Sequence, residues 1–273
     1  MSIFSSIKHN IRAHDRVARD YEAAHGEIFN PVEQGRLRAS LAAAAGLVNT
    51  GRAPLRALDV GCGSGNLSSR LLELGFSVTA ADVSEKFLDL VRKTVPAGAP
   101  LETARLNGRD LSGFADGAFD FAAAYSVLHH IPDYLAMVRE MARVTASGGV
   151  LYLDHEFSPS YWAQSPEYRE FLAGAGKGLA APAPRFSRFF SFSHYADKVR
   201  QLLDPRFQVE GDLHVWPDDH VDWEAIGRAL RDAGFEVLRS EDYLLFRAGY
   251  PPELHARYKG SCADQRVVAA RRL

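Results

Sequence analysis

The residues best equipped for chemistry stand in a few short stretches. One of them, Leu58-Asp59-Val60-Gly61-Cys62-Gly63-Ser64-Gly65-Asn66, sets three glycines in alternation behind an aspartate. Glycine lets the main chain approach a ligand closely and takes positive φ at no steric cost, so this run can hold a small molecule against the backbone. A dinucleotide fingerprint, G-x-G-x-x-G, is the competing reading. Here the third glycine comes one position early and Asn66 replaces the packing glycine, while Asp59 would repel a pyrophosphate and suit a cationic group. The histidines form the second resource, as His129-His130 and as His155 beside Glu156. An imidazole oriented by a carboxylate can take a proton from a reacting hydroxyl. His155 is the first choice as base, with Glu156 as its orienting partner and His130 in reserve, whereas His129 also fits a residue that caps a strand end by hydrogen bonding.

These residues need a frame to hold them. From Ile11 to roughly Leu47 the apolar spacing is helical, with a break near Asn30-Pro31. Arg56 to Val60 then reads as a strand, Leu67 to Leu74 as a helix and Phe76 to Ala81 as a second strand. The alternation continues with a helix at Phe87 to Val91 and strands at Leu101 to Leu106 and Phe119 to Ala124. It ends with a helix at Leu135 to Val144 and a strand at Val150 to Leu153. Strand, helix, strand in this rhythm predicts an α/β fold, a doubly wound and mostly parallel sheet. The C-terminal part supplies a helix at Trp223 to Ala233 and two candidate strands, Phe235 to Arg239 and Tyr243 to Arg247. Open sheets of this kind bind ligands at the carboxyl ends of their strands, where both histidine-bearing loops fall.

Leu58 to Gly65, Val78 to Ser84, and Phe119-Asp120-Phe121 through Leu128-His129-His130-Ile131-Pro132 together resemble the motifs of the class I S-adenosylmethionine-dependent methyltransferases, in the family's order. The resemblance covers roughly Asp15 to His155 and resumes from Trp223. It implies a seven-stranded Rossmann-like sheet, S-adenosyl-L-methionine as cofactor and S-adenosyl-L-homocysteine as product. It also implies roles residue by residue. Asp59 lies near the cationic end of the cofactor, and Gly61, Cys62 and Gly63 form its loop. Asp82, ending the second strand 21 positions after Gly61, accepts the ribose hydroxyls. Val83 and Phe87 sandwich the adenine, and Asp110 with Leu111 receives its amine. Tyr125 and Ser126 line the methionine moiety, over which Tyr21 closes. No metal is expected: the carboxylate that metal-dependent catechol methylation places after the fourth strand is replaced by Tyr125-Ser126. His214, Asp218, Asp219 and His220 around Pro217 read more simply as a solvated loop.

The whole chain, 1–273, reads as a single domain with N-terminal helices over 1–50. The frame does not need 157–218, which is aromatic-rich and too long for a structureless loop, so it is expected to fold as a helical lid that sets substrate choice. Phe186, Phe189, Phe190, Phe192 and Tyr195 fall within it, with Tyr161-Trp162 near its start. Lys plus Arg number 32 against 34 Asp plus Glu, so no field of either sign favours nucleic acid or anionic lipid. The adenine-amine methylase signature Asn-Pro-Pro-aromatic is also missing after the fourth strand. No apolar run suggests a signal peptide or a membrane span, and the two cysteines, Cys62 and Cys262, form no metal pattern, so a cytoplasmic setting is expected. The expected partner is a small-molecule acceptor, plausibly a specialised metabolite methylated on oxygen or nitrogen, with a homodimer left open. Sulfur, carbon or sugar-amine methylation, or a protein that holds the cofactor without turnover, are the alternatives.

Overall fold

The computed structural model describes residues 3–17, 21–176, 204, 206–209 and 211–273. Three helices, α1 (Ile3–Val17), α2 (Tyr21–Ala24) and α3 (Pro31–Ala45), precede the sheet. Asn30 starts α3 by accepting the amides of Val32 and Glu33, with Pro31 at the first helical position, where no amide hydrogen is needed. The sequence break at Asn30-Pro31 is therefore a helix start, and the preceding helix begins earlier than its apolar spacing suggested.

The alternating core follows as β1 (Arg56–Val60), α4 (Asn66–Glu73), β2 (Ser77–Asp82), α5 (Glu85–Thr94), β3 (Leu101–Arg105), β4 (Phe119–Tyr125), α6 (Tyr134–Val144) and β5 (Thr145–Phe157). The insertion contributes α7 (Pro159–Ala163), α8 (Pro166–Ala175) and a small hairpin of β6 (Val215–Trp216) and β7 (Asp219–His220). The chain closes with α9 (Trp223–Asp232), β8 (Phe235–Tyr243), α10 (Pro252–Tyr258) and β9 (Gln265–Arg272). The main sheet has the order β3-β2-β1-β4-β5-β9-β8, parallel from β3 to β5, with β9 antiparallel to both its neighbours.

Both faces of the sheet are covered, which is why its central strands read as continuous apolar runs. Leu58, Val60, Ala122, Ala124, Leu151 and Leu153 point towards α6 and α9, where Met137, Met141, Ile226 and Leu230 are buried. Ala57, Phe121, Ala123, Val150 and Tyr152 point the other way, onto Leu37 and Leu41 of α3 and Leu67 and Leu71 of α4. Asp59 shares the second face and is met there by Ser68 of α4. No helix among the described residues is long and apolar enough to cross a membrane.

The C-terminal strands differ from the expectation. Tyr243 to Arg247 forms no second strand; β8 extends to Tyr243, and the antiparallel partner is β9. Leu244 and Phe246 instead bury against Tyr168 and Phe171 of α8 with Tyr250 and Tyr258, an apolar surface that a ladder could not supply. The aromatic run Phe186, Phe189, Phe190, Phe192 and Tyr195 lies outside the described residues.

A buried ionic cluster joins α3 to β5. Arg36 reaches Asp154 Oδ2 at 3.1 Å and Glu33 Oε2 at 2.7 Å, and the two acids are 0% and 2% exposed. Asp154 also accepts the hydroxyls of Tyr152 at 2.6 Å and Tyr243 at 2.9 Å, while Glu33 accepts the amide of Phe246 at 2.7 Å. Removing the cation strands two carboxylates in the interior, so Arg36→Met is expected to destabilise the fold by about 3 kcal/mol or more in urea titration. A loss below about 1 kcal/mol, the range of exposed pairs, would contradict the cluster's structural role.

Candidate functional site

The carboxyl ends of β1, β2 and β4 open on a cleft of about 1020 Å³. Its floor is the glycine turn. The amides of Gly61 and Cys62 donate to Ala81 O at 2.8 and 3.0 Å, which pins the turn to β2. Gly63, at φ +50°, has nothing within 4 Å of where a Cβ would stand, so its backbone is open to the cleft. Asp82 is fixed by the amides of Gly63 at 3.0 Å and Ser84 at 2.8 Å. Val83, Phe87, Leu106 and Ile7 supply apolar walls, and Tyr21 meets Phe87 edge-on at 5.3 Å. Ser64 Oγ and Asn66 Nδ2 are buried on the turn with no hydrogen-bond partner.

Burial raises both acids of this cleft. The carboxyl of Asp59 is pushed up to about 7, opposed by the Ser68 hydroxyl and reinforced by the charge of Asp82. Asp82 rises to about 6, held back by the amides it accepts. Cys62 is buried, its thiol pushed well up by desolvation and by the same acids, which makes it a wall residue and not a nucleophile.

A second cavity of about 1140 Å³ adjoins the first and shares His14, Tyr21, Ile28, Ser126 and His130 with it. Its further lining comes from His25, Glu27, His129, His155, Glu156, Phe157, Asp212, Val215, Leu245, Arg247 and Gln265. Ser126 and His155, at the ends of β4 and β5, hold φ of 57° and 65°, left-handed conformations that non-glycine residues rarely take outside tightly constrained sites.

The histidine turn is organised by Glu156. Its Oε1 accepts the amides of Val127 at 2.9 Å and Leu128 at 2.7 Å, and its Oε2 lies 2.8 Å from His129 Nδ1. Asn10 of α1 donates to His130 O at 2.6 Å, and the amides of Leu213 and His214 donate to His129 O. This corrects the expected pairing: Glu156 orients His129, not His155. The cause is a bulge in β5 between Asp154 and Glu156, which interrupts the strand's alternation and re-aims the side chains on either side of it. His155 stacks on Tyr125 at 4.9 Å with Nε2 buried and unpartnered, and burial with the Arg36 charge pushes it down to about 3. His14 is lowered to about 4 and His130 well below the usual imidazole range, both mainly by burial. Three of the cavity's imidazoles are therefore neutral at physiological pH.

Of the residues singled out in the sequence, Tyr21, Asp59, Gly61, Cys62, Gly63, Asp82, Val83, Phe87, Tyr125 and Ser126 line the first cleft, His130 lines both cavities, and His155 and Glu156 line the second. Asp110 and Leu111 line neither. Asn107 Oδ1 accepts the amides of Arg109 and Asp110, a turn that faces Asp110 to solvent on Ser112 and places Gly108 at the cleft, while Leu111 is buried in the core. Trp162 packs on Phe157, Tyr161 and His220, outside both linings. The sequence reading missed Ile7, Asn10 and His14, whose spacing on one face of α1 was the available signal. It also missed Arg247 and Gln265, for which no local signal exists. His129, His130 and Asp212 offer three ligand atoms within 4.8 Å of one another, the sole such group among the described residues. His214 instead pairs with Asp219 inside the small hairpin.

Residues 58–153 match the model of a methyltransferase domain. A ubiquinone biosynthesis O-methyltransferase of Xanthomonas campestris pv. campestris is 34% identical over 120 residues, 43% of this chain and 50% of the relative. An S-adenosylmethionine-dependent methyltransferase from Mesorhizobium loti superposes with a TM-score of 0.54 at 23% identity, over 86% of this chain and 98% of the other. The chain has the fold of the class I S-adenosylmethionine-dependent methyltransferases, and its residues 58–153 are similar to a methyltransferase domain. It spans about half the length of the curated relatives it matches. The cyclase SpnF shares the fold, with a TM-score of 0.51 at 18% identity over 87% of this chain and 80% of the other, so the site, not the sheet, must decide the reaction.

The raised acids give a signature in the cofactor-free protein. A carboxyl that is pushed from 3.8 up to about 7 on folding binds protons more tightly in the native state, so its contribution to stability is present at low pH and lost as pH rises through that window. Asp59→Asn removes this loss. Its stability relative to the wild type is expected to grow steadily between pH 4 and 7 in denaturant titrations, and a difference that is flat with pH would contradict a buried, ionising Asp59.

Proposed function

We propose that the chain transfers a methyl group from S-adenosylmethionine to a hydroxyl oxygen of a small molecule held in the second cavity. The observation that carries this reading is the Glu156–His129 pair, 2.8 Å apart, in a cavity that adjoins the glycine-turn cleft and shares Ser126 and His130 with it. The cleft suits the cofactor. Asp82 would accept the ribose hydroxyls, Val83, Phe87 and Ile7 would enclose the adenine, and Ser64 and Asn66 hold unpartnered polar atoms for the amino-acid end. Asp59 would face the cationic groups, which would draw it back to its ionised form. Backbone at Gly108, not Asp110, is the place for the adenine edge.

Bound there, S-adenosylmethionine supplies an electrophilic methyl group whose bonding pair to sulfur leaves with the sulfur. The chain's own work is to orient the acceptor and remove its proton. With Nδ1 donating to Glu156, the neutral form of His129 carries its acceptor at Nε2, which lies 3.9 Å from Asp212 Oδ1. As the acceptor oxygen forms its new bond to carbon, its proton passes to Nε2, and Glu156 stabilises the imidazolium that results. His155, neutral and with Nε2 unpartnered, and His130, neutral although Asp212 lies 3.2 Å from its Nδ1, are assigned to acceptor contacts. Hydroxyl methylation also agrees with the O-methyltransferase named among the relatives.

The test is formation of S-adenosylhomocysteine on incubation with S-adenosylmethionine and a panel of phenols and alcohols. His129→Gln is expected to lower turnover by about 10²-fold or more and to remove the acidic limb of the pH profile, while cofactor affinity stays within a few-fold. Full turnover in His129→Gln would take the base from this residue, and no S-adenosylhomocysteine with any acceptor would favour a protein that holds the cofactor without methyl transfer.

A further inference from the structure

The proposed methyl transfer leaves the far wall of the acceptor cavity unexplained. Arg247 and Gln265 stand there beside Leu245 and Phe157, in the second cavity and outside the first. Arg247 Nε is buried and has no hydrogen-bond partner. No carboxylate forms an ion pair with this guanidinium among the described residues. The acid behind it, Asp264, feels its charge but is committed elsewhere, accepting the amide of Leu245 at 2.8 Å and the hydroxyl of Tyr168 at 3.4 Å. Gln265 is 3% exposed, and its side-chain amide has no partner among the described residues although its backbone lies in the β9 ladder. The cavity's other acids are engaged. Glu27 pairs with His25 at 2.8 Å, Glu156 holds the histidine turn, and Asp212 faces the histidine pair, 3.2 Å from His130 Nδ1 and 3.9 Å from His129 Nε2. A half-buried guanidinium whose Nε is buried and unpartnered, and a buried amide lining the same cavity, are unfavourable unless a ligand completes them, because the desolvation is borne without the hydrogen bonds that would offset it.

We propose that Arg247 and Gln265 form an anion-anchoring subsite, and that the acceptor is a hydroxy-substituted carboxylic acid whose carboxylate docks on this wall while its hydroxyl reaches His129. This rests on the methyl-transfer reading and narrows its substrate class. A guanidinium offers parallel donors that match the two oxygens of a carboxylate, and the Gln265 amide can add another. The anchored group is not the methylated one. Arg247 is absent from the shared lining of Ser126, His130, His14, Tyr21 and Ile28, where the two cavities meet, so the reacting atom belongs to the opposite end of the acceptor.

The test is calorimetric titration of the full chain saturated with S-adenosylhomocysteine, using 4-hydroxybenzoate, 4-hydroxybenzamide and 4-hydroxyphenyl phosphate as probes. The wild type is expected to bind the acid at least about tenfold more tightly than the amide and more tightly than the phosphate ester. Arg247→Met should abolish the preference for acid over amide, Arg247→Lys should keep part of it, and Gln265→Leu should weaken acid binding without reversing the order. The thermal midpoint of Arg247→Met should stay close to that of the wild type, since the side chain loses no hydrogen bond or ion pair and only the charge felt by Asp264; a residue serving structure would lower it markedly. No acid preference in the wild type, the same preference in Arg247→Met, or tighter binding of the phosphate ester would overturn the carboxylate subsite. Affinity for S-adenosylhomocysteine, measured first on the same samples, separates the two readings. Its absence removes methyl transfer and this inference together, whereas tight binding without acid preference removes only the subsite.

Discussion

Glu156 is the side chain through which sheet, turn and cavity are joined. It is 3% exposed, and each of its carboxylate oxygens is used: one by the amides that begin the turn after β4, the other by His129. A carboxylate in the interior is tolerated only when hydrogen bonds replace its hydration, and here those bonds come from the segment that carries the histidines. The requirement runs both ways. The turn needs an acceptor for the amides that begin its one 3₁₀ turn, Leu128–His130, and the glutamate needs the turn. That reciprocity fixes the end of β4 against the end of β5 and so sets the boundary between the two cavities.

The boundary divides two kinds of electrostatics. In the glycine-turn cleft lie Asp59 and Asp82, both lifted by burial, so that a cation entering it would favour their ionised forms. Around the second cavity and at its junction with the first, burial acts on imidazoles and holds His14, His130 and His155 neutral. Neutral imidazoles donate and accept hydrogen bonds without repelling a sulfonium close by. Behind them, Arg36 and Asp154 keep a buried ion pair under His155, whose amide donates to Asp154 Oδ1 at 2.7 Å. The left-handed backbone at His155 is thus secured from below while its ring lies on Tyr125.

What the sequence disclosed was local. Glycines on a strand-to-helix turn, an aspartate at the end of the next strand and apolar strands in alternation with amphipathic helices are properties of short windows, and the sheet order and glycine-turn cleft follow from them. The errors arose where neighbours in space are remote in sequence or where one residue breaks a period. The bulge at His155 changed which histidine Glu156 faces, and an alternation rule carries no sign of it. Asn107 turned Asp110 outward through its own side chain, a competition between local hydrogen bonding and the expected role. Tyr243 to Arg247 has the composition of a strand, yet its apolar residues found α8 before they found a ladder. Gln265 reaches the cavity as the first residue of β9, which sits between β5 and β8, and Arg247 reaches it from the segment that follows β8, both far in sequence from the histidine turn.

The central claim is that the two cavities are the cofactor and acceptor arms of one site, meeting at Ser126 and His130. A crystal structure of the complex with S-adenosylhomocysteine tests it most directly. The account predicts the ribose on Asp82, the adenine against Phe87, and the sulfur between Ser126 and His130 with an open path to His129. Sulfur turned away from that junction, or walled off from the second cavity by protein side chains, would contradict it.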